Sequence, residues 1–220
     1  MSLATWQKLV AEKQGFFFDL DGTLINSEPL HALAIYRILH TCGHPSKHTT
    51  ADLEQIYYGC SDHYIFEAEN LGDYLSLADF YQQKSQLMQQ ILQDLTNEQE
   101  AALLAPGILE FLTWAQKNGK CLAIVSASER YFIDLALQQF KMKQYFAHIV
   151  AHEDCATSKP LPGPYLTALA KTGLPANEAL AFEDSPPGLS SAQGAKIKTV
   201  EISLRPKEGF LGDYRLLLPA

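Results

Sequence analysis

Two aspartates separated by a single residue, Asp19 and Asp21, follow the apolar run Phe16-Phe17-Phe18 and precede Gly22-Thr23. Three aromatic residues in succession suit a strand buried on both faces, and a strand-like backbone points the side chains at i and i+2 the same way. Two carboxylates so placed can bind a hard cation and can divide the work of nucleophile and of acid and base between them. The plain alternative is a buried strand followed by an Asp-Gly turn. A calcium loop fits poorly, because an EF-hand needs Gly at its sixth position and Glu at its twelfth, and this segment offers neither.

A second acidic pair, Glu183-Asp184, closes the apolar run Ala179 to Phe182 and is followed by Ser185 and Gly188. Alone it reads equally well as a helix cap. Two acidic pairs on separate strands repel one another unless a cation or a shared proton offsets the charge, and Mg²⁺ suits an all-oxygen site. Ser126, in Ile124-Val125-Ser126-Ala127-Ser128, places a hydroxyl ahead of a helix N-terminus. Free N–H groups and the helix dipole there favour an anion such as phosphate, although a serine cap is the simpler reading. Lys159 lies in Ser158-Lys159-Pro160-Leu161-Pro162-Gly163. Its prolines stiffen a loop that could hold an ammonium over a phosphate, the alternative being an ordinary surface lysine.

Short apolar runs alternating with helical patterns must position these groups. Strands are expected at 15–20, 120–126, 148–151, 179–183 and 197–202, and helices near 107–117, 129–140, 164–172 and 187–193. Such alternation describes an α/β fold with a central parallel sheet, whose ligands bind at the carboxyl ends of the strands. Residues 27 to 104 break the pattern and read as helices throughout. Ser27 can cap a segment with Leu30, Leu33, Ala34 and Ile38 on one face, which stops at Gly43 before Pro45. Ser61 can cap a second that ends near Leu71, and a third carries Phe80, Lys84, Leu87, Met88, Ile91, Leu92 and Leu95 at helical spacing. Thr96 with Gln99 resembles a capping box for a fourth.

Charge divides the chain at the same place. The 220 residues carry a formal net charge of -8, and 47% of them are hydrophobic. Residues 27 to 100 hold eleven acids against Arg37, Lys47 and Lys84, while the remainder balances. The expected organisation is therefore a Rossmann-like core, residues 1–26 and 103–220, interrupted by an inserted all-helical cap, residues 27–102. An acidic chain with few clustered basic residues argues against nucleic acid. No apolar run approaches the ~18 residues of a membrane helix, so no membrane partner is expected. The start of the chain lacks a secretory pattern, and four cysteines without C-x-x-C spacing suggest neither zinc nor a redox dithiol. A cytoplasmic monomer is the expectation. His40, His44 and His48 recur every fourth residue, but Gly43 and Pro45 break the helix that would align them on a zinc ion.

Taken together, Asp19-x-Asp21-Gly22-Thr23, Ser126, Lys159-Pro160 and Glu183-Asp184 with Ser185 and Gly188 resemble the haloacid dehalogenase-like superfamily, in the subgroup with a helical cap after the first motif. The resemblance covers nearly the whole chain in the right order. It implies a Mg²⁺-dependent phosphomonoester hydrolase acting on a small-molecule phosphate ester. Asp19 would become a phosphoaspartate, and Asp21 would protonate the leaving oxygen and then activate water. The ion would be held by Asp19, the backbone carbonyl of Asp21 and Asp184, with Glu183 reaching it through water or supporting its ligands. Ser126, the Ala127 backbone N–H and Lys159 would hold the phosphate. The cap would close over the substrate and supply selectivity, with hinges near 24–27 and 104–107.

The second acid of the first motif argues for phosphoryl chemistry over dehalogenation. The nearest alternative is a β-phosphoglucomutase-like transfer between sugar phosphates. His31 fits the cap-hinge histidine of that mutase as well as that of many phosphatases. The loop Gly59-Cys60-Ser61-Asp62 resembles the mutase loop, but Asp62 stands where the mutase has an arginine, so a second phosphate would be repelled. Arg130 could contact substrate or cover a helix surface. Gly163 stands where this motif usually continues with Asp, which leaves the positioning of Lys159 in question. A catalytically retired binding or regulatory module is the non-enzymatic alternative. The acidic cap suggests that substrates with a second anionic group are disfavoured.

Overall fold

The computed structural model describes residues 3–58, 60, 62–204 and 212–219. Helix α1 (Leu3–Glu12) leads into strand β1 (Gly15–Phe18). Five helices follow: α2 (Glu28–Thr41), α3 (Thr50–Ile56), α4 (Asp62–Ala68), α5 (Leu77–Gln93) and α6 (Asn97–Leu103). The chain then alternates through α7 (Ile108–Lys117), β2 (Cys121–Val125), α8 (Arg130–Gln139), β3 (His148–Val150), α9 (Gly163–Thr172), β4 (Ala179–Glu183), α10 (Pro186–Gly194) and β5 (Lys198–Glu201). No helix among the described residues is long and apolar enough to cross a membrane.

The five strands form one parallel sheet in the order β3-β2-β1-β4-β5. This is the α/β architecture that the alternating pattern implies. The chain winds outward from β1 through β2 to β3, then returns past β1 to β4, so the winding reverses beside β1. Ligand sites in such sheets lie at the carboxyl ends of the strands flanking that reversal. Here those ends deliver Asp19, Ser126 and Glu183.

The run Phe16-Phe17-Phe18 explains itself in this sheet, since all three residues are fully buried. Alternation sends Phe17 to one face, where it packs with Ala123, Val125, Tyr165, Ala168, Ala181 and Ala192 in a cluster closed by α9 and α10. Small alanines on β4 and α10 let those helices approach the strands. The opposite face is aromatic. Phe18 stacks on Phe182 with ring centroids 4.7 Å apart, and Phe111, Phe146 and Tyr214 pack edgewise or tilted around them. Phe16 extends the group to Phe111 and Trp114. Burying each such ring contributes about 1.5–3 kcal/mol relative to exposure.

The chain divides into two compact units, one of Met1–Asn26 with Ala101–Ala220, the other of Ser27–Glu100. In the first, the segments that lead out of the unit and back into it run side by side. Ile25 bridges Leu104, the Asn26 N–H donates to the Leu103 carbonyl at 2.8 Å, and the Ala105 N–H donates to Leu24 at 2.9 Å. The second unit is all helical. Its core brings together Ala32, Ile35, Ile38 and Leu39 of α2, Leu53 of α3, Ile65 and Phe66 of α4, and Phe80 of α5. Helix α2 is rotated slightly from the expected face, with Leu33 only half-buried and Ile35 fully so. Helix α3 is an element the periodicity did not reveal. It is started by a capping box in which the Thr49 hydroxyl accepts from the Asp52 N–H while the Asp52 carboxylate accepts from the Thr49 N–H. The box expected at Thr96 and Gln99 is present and opens α6.

Candidate active site

The parallel register pairs Phe18 of β1 with Phe182 of β4, so Asp19 and Glu183 emerge side by side. The Asp19 N–H donates to the Phe182 carbonyl at 3.0 Å, which holds the chain in line for one residue beyond the strand. A tight turn follows: the Leu24 and Ile25 N–H groups donate to the Leu20 carbonyl, and the Gly22 N–H donates to Ile25. Gly22 has φ +78°, and a Cβ there would lie 2.2 Å from Asp184 Oδ2. Glycine therefore supplies both the left-handed turn and the room that Asp184 occupies.

Lys159 joins the two strand ends. Its side chain is 7% exposed, and its ammonium donates to Asp19 Oδ1 at 2.7 Å and to Glu183 Oε1 at 2.5 Å. Glu183 is fully buried and also accepts from the Tyr165 hydroxyl at 2.6 Å. Lys159 lies over the Tyr165 ring at 5.6 Å. The question raised by Gly163 has a local answer. Thr157 Oγ1 lies 2.2 Å from where a Cβ at 163 would stand, so a threonine from across the loop fills the space a side chain would take. Lys159 is held by two carboxylates regardless.

The electrostatics are strongly unbalanced. Burial pushes the Asp19 carboxyl well above the usual range; Lys159 opposes this, while Glu183, Asp184 and Asp21 add to it. Burial alone would lower the Lys159 ammonium, but Asp19 and Glu183 outweigh it and raise it. Tyr165 is raised by burial and by Glu183, so its hydroxyl stays a donor. One ammonium meets two carboxylates, and two more, Asp184 and Asp21, act on Asp19. Among the described residues the one group that could hold a metal ion is Asp19, Glu183 and Asp184, each offering an oxygen within 4.8 Å of the others. Glu183 Oε2 is buried and accepts no hydrogen bond. An all-carboxylate donor set with excess negative charge fits a hard divalent cation such as Mg²⁺ and fits soft metals poorly.

Ser126 follows β2 directly, with its N–H donating to the Val150 carbonyl and its buried hydroxyl accepting from the Ser128 N–H at 3.0 Å. Ala127 is exposed beside it. Both follow the carboxyl end of β2, the strand beside β1, after which Asp19 lies. The helix terminus behind them is not free: the Arg130 N–H, the first of α8, donates to the Glu153 carboxylate. Ser128, which carries no signal in the sequence beyond its place in that loop, donates its hydroxyl to Asp21 Oδ2 at 2.7 Å. Tyr165 was likewise invisible, being an aromatic residue at helical spacing.

The remaining sequence candidates lie elsewhere. The Arg130 guanidinium is engaged by Asp154 and by the Ile149 carbonyl. In the helical unit, His31 sits in the first turn of α2, and Gly59 falls outside the described residues. Asp62 ion-pairs with the buried Lys84, which offsets the charge that the sequence leaves bare. His44 accepts from the Ser46 N–H through Nδ1 and donates through Nε2 to the Glu69 carbonyl, a structural role.

A profile of haloacid dehalogenase-like hydrolases matches residues 16–202. The chain belongs to this family. It is 32% identical over 210 residues to protein CbbY of Rhodobacter capsulatus, covering 92% of this chain and 89% of that one. It is 26% identical to a phosphoglycolate phosphatase of Pseudomonas fluorescens (strain Pf0-1), covering 92% and 77%. Among solved structures, CbbY from Rhodobacter sphaeroides in complex with phosphate superposes with a TM-score of 0.76 at 22% identity, covering 90% of this chain and 92% of that one. The protein is therefore an enzyme of the haloacid dehalogenase-like hydrolase family, and the name phosphatase is carried by relatives to which it is similar.

Proposed function

We propose that the protein is a Mg²⁺-dependent phosphomonoester hydrolase that works on small-molecule phosphate esters through a phosphoaspartate at Asp19, with residues 1–26 and 103–220 carrying the chemistry and residues 27–102 selecting the substrate. The observation that carries this reading is the cluster at the ends of β1 and β4, where Asp19 is gripped by Lys159 within 4.8 Å of further carboxylate oxygens. Asp19, the backbone carbonyl of Asp21 and Asp184 would hold the cation, with Glu183 fixing Lys159 and supporting the ligands behind them. When bound, the ion supplies positive charge against the phosphoryl oxygens and lowers the repulsion between them and the attacking carboxylate.

The protein's own groups then divide the work. Lys159 and the Ser126 hydroxyl, with the Ala127 N–H, orient the phosphate against Asp19. An Asp19 oxygen forms a bond to phosphorus as the bond to the ester oxygen breaks, and Asp21 gives its proton to the departing alkoxide. Asp21, now a carboxylate, takes a proton from water as that water attacks phosphorus. Asp19 is released, inorganic phosphate leaves and Asp21 is protonated again.

The test is Mg²⁺-dependent release of phosphate across a panel of metabolite phosphate esters, with p-nitrophenyl phosphate included, before and after chelation. Activity that is lost in chelator, returns with Mg²⁺ and is abolished in Asp19→Asn is expected. Absence of turnover across the panel would overturn the reading. Formation of glucose 6-phosphate from β-glucose 1-phosphate with a bisphosphate primer, without net phosphate release, would replace hydrolysis by mutase transfer.

A further inference from the structure

A short turn near the end of the chain, Tyr214–Leu217, docks on the unit built around the sheet. Tyr214 and Leu217 are fully buried, and Gln7 of α1 donates to the Leu216 carbonyl at 3.2 Å. The Tyr214 ring belongs to the aromatic face, its centroid 5.5 Å from those of Phe111 and Phe182. Its hydroxyl donates to the Thr23 carbonyl at 3.3 Å, 191 residues back along the chain, and its N–H donates to the Pro106 carbonyl at 2.9 Å. One residue therefore bonds both the segment that leaves the sheet after Asp21 and the segment that returns to it. Gly107, at φ +72°, permits the approach, because a Cβ there would stand 2.7 Å from the Arg215 backbone nitrogen.

We infer that Tyr214 is a positioning residue that holds the 20–25 turn, and with it Asp21, in place for phosphoryl transfer. The inference deepens the function proposed above and rests on it. Asp19 lies one residue beyond β1, and its N–H is fixed on Phe182 of the neighbouring strand. Asp21 lies two residues further, inside a turn whose own bonds run from Gly22 to Ile25 and from Leu24 and Ile25 to Leu20. Those internal bonds set the shape of the turn. Tyr214 sets its place, since the ring is wedged among the aromatic residues of the sheet while the hydroxyl grips Thr23. Thr23 is fully buried, and a carbonyl at that depth depends on donors from the protein. The Asp21 carboxylate keeps contacts of its own, Ser128 among them; Tyr214 acts on the backbone that carries it. Without the hydroxyl the turn opens more often, and Asp21 spends less time where phosphoryl transfer needs it.

The experiment compares wild type with Tyr214→Phe, which keeps the ring and removes the hydroxyl, and with Ile133→Val, which trims a fully buried side chain of α8 and lowers stability by a comparable amount without touching the hydroxyl. Hydrogen exchange of the Leu24 and Ile25 amides is followed by NMR in chelator, so that it reads the turn whatever the protein catalyses. Turnover of p-nitrophenyl phosphate and of alkyl phosphates is measured with Mg²⁺. In Tyr214→Phe the two amides should exchange about tenfold faster than in Ile133→Val, and kcat should fall by about tenfold with KM within about twofold of wild type. Ile133→Val should keep the wild-type kcat. Equal exchange at Leu24 and Ile25 in the two variants overturns the clamp, whatever the kinetics. Faster exchange in Tyr214→Phe with an unchanged kcat makes the bond a structural one, which overturns the inference and leaves the hydrolase standing. A wild type that cleaves no ester overturns the proposed function and the inference with it.

Discussion

Replacing Tyr165 with Phe removes one oxygen and keeps the ring that packs beside Phe17, so the change isolates the hydrogen bond to Glu183. That bond is 2.6 Å long, lies between two fully buried residues and has a charged acceptor. Hydrogen bonds to charged groups contribute about 1.5–3 kcal/mol. The lower half of that range applies, because Glu183 Oε1 retains the Lys159 ammonium at 2.5 Å and is not orphaned. The expected destabilisation is about 1.5–2 kcal/mol, which at ~2–4 °C per kcal/mol for a chain of this size lowers Tm by about 3–8 °C. The assay is equilibrium urea unfolding in chelator, so that ligand binding does not contribute. Tyr145→Phe serves as the control, since its hydroxyl meets the neutral Thr113 hydroxyl at 3.0 Å in a partly buried setting. It should cost no more than about 1 kcal/mol. A Tyr165→Phe midpoint no lower than that of Tyr145→Phe, at equal denaturant slope, would refute the claim that Glu183 depends on Tyr165.

Gly22→Ala forces a side chain into the left-handed region and sets its Cβ 2.2 Å from Asp184 Oδ2. The shifted carboxylate should lower kcat/KM on the order of 10²-fold, and steady-state kinetics within about threefold of wild type would contradict this. Burial pushes Asp154 up, but the Ala151 N–H, Lys171 and Arg130 together hold its carboxyl below its ordinary value. Because the folded-state value is the lower one, the stabilisation is complete above the unfolded carboxylate range and is lost as pH falls through the folded value. Asp154→Asn should therefore lower the urea midpoint by more at about pH 7 than at about pH 3, where part of the stabilisation has already been lost, a difference read directly from paired unfolding curves.

The residues that announce themselves in the sequence are those whose chemistry and location coincide. Phe16-Phe17-Phe18 is legible as a doubly buried strand, and its polar stop is legible as a strand end, because periodicity and composition agree there. Helices α1 and α3 escape for a physical reason. In α1 the apolar residues Leu3, Trp6, Leu9 and Val10 do fall at helical spacing, but only Val10 is fully buried among the described side chains; in α3 only Leu53 is. The capping box at Thr49 was the available signal for α3. Within the site, Asp19, Lys159 and Glu183 could be named from type and order along the chain. Tyr165 and Ser128 could not, since what matters in each is one hydroxyl aimed at a carboxylate 18 or 107 residues away. Arg130, which the sequence leaves open between a substrate contact and cover for a helix surface, is engaged by Asp154 and the Ile149 carbonyl.

The aromatic face around Phe18 also contains Trp114, packed on Phe16 and Phe111. The chain has two tryptophans, Trp6 and Trp114, and residues 27–100 have none. Emission excited at the red edge, where tyrosine is silent, therefore reports on the unit built around the sheet and is blind to the helical one. Far-ultraviolet dichroism, dominated by helix, reports on both. Followed together through a single denaturation, the two signals tell whether the helical unit melts before the unit that holds the sheet or with it, without a label or a truncated chain.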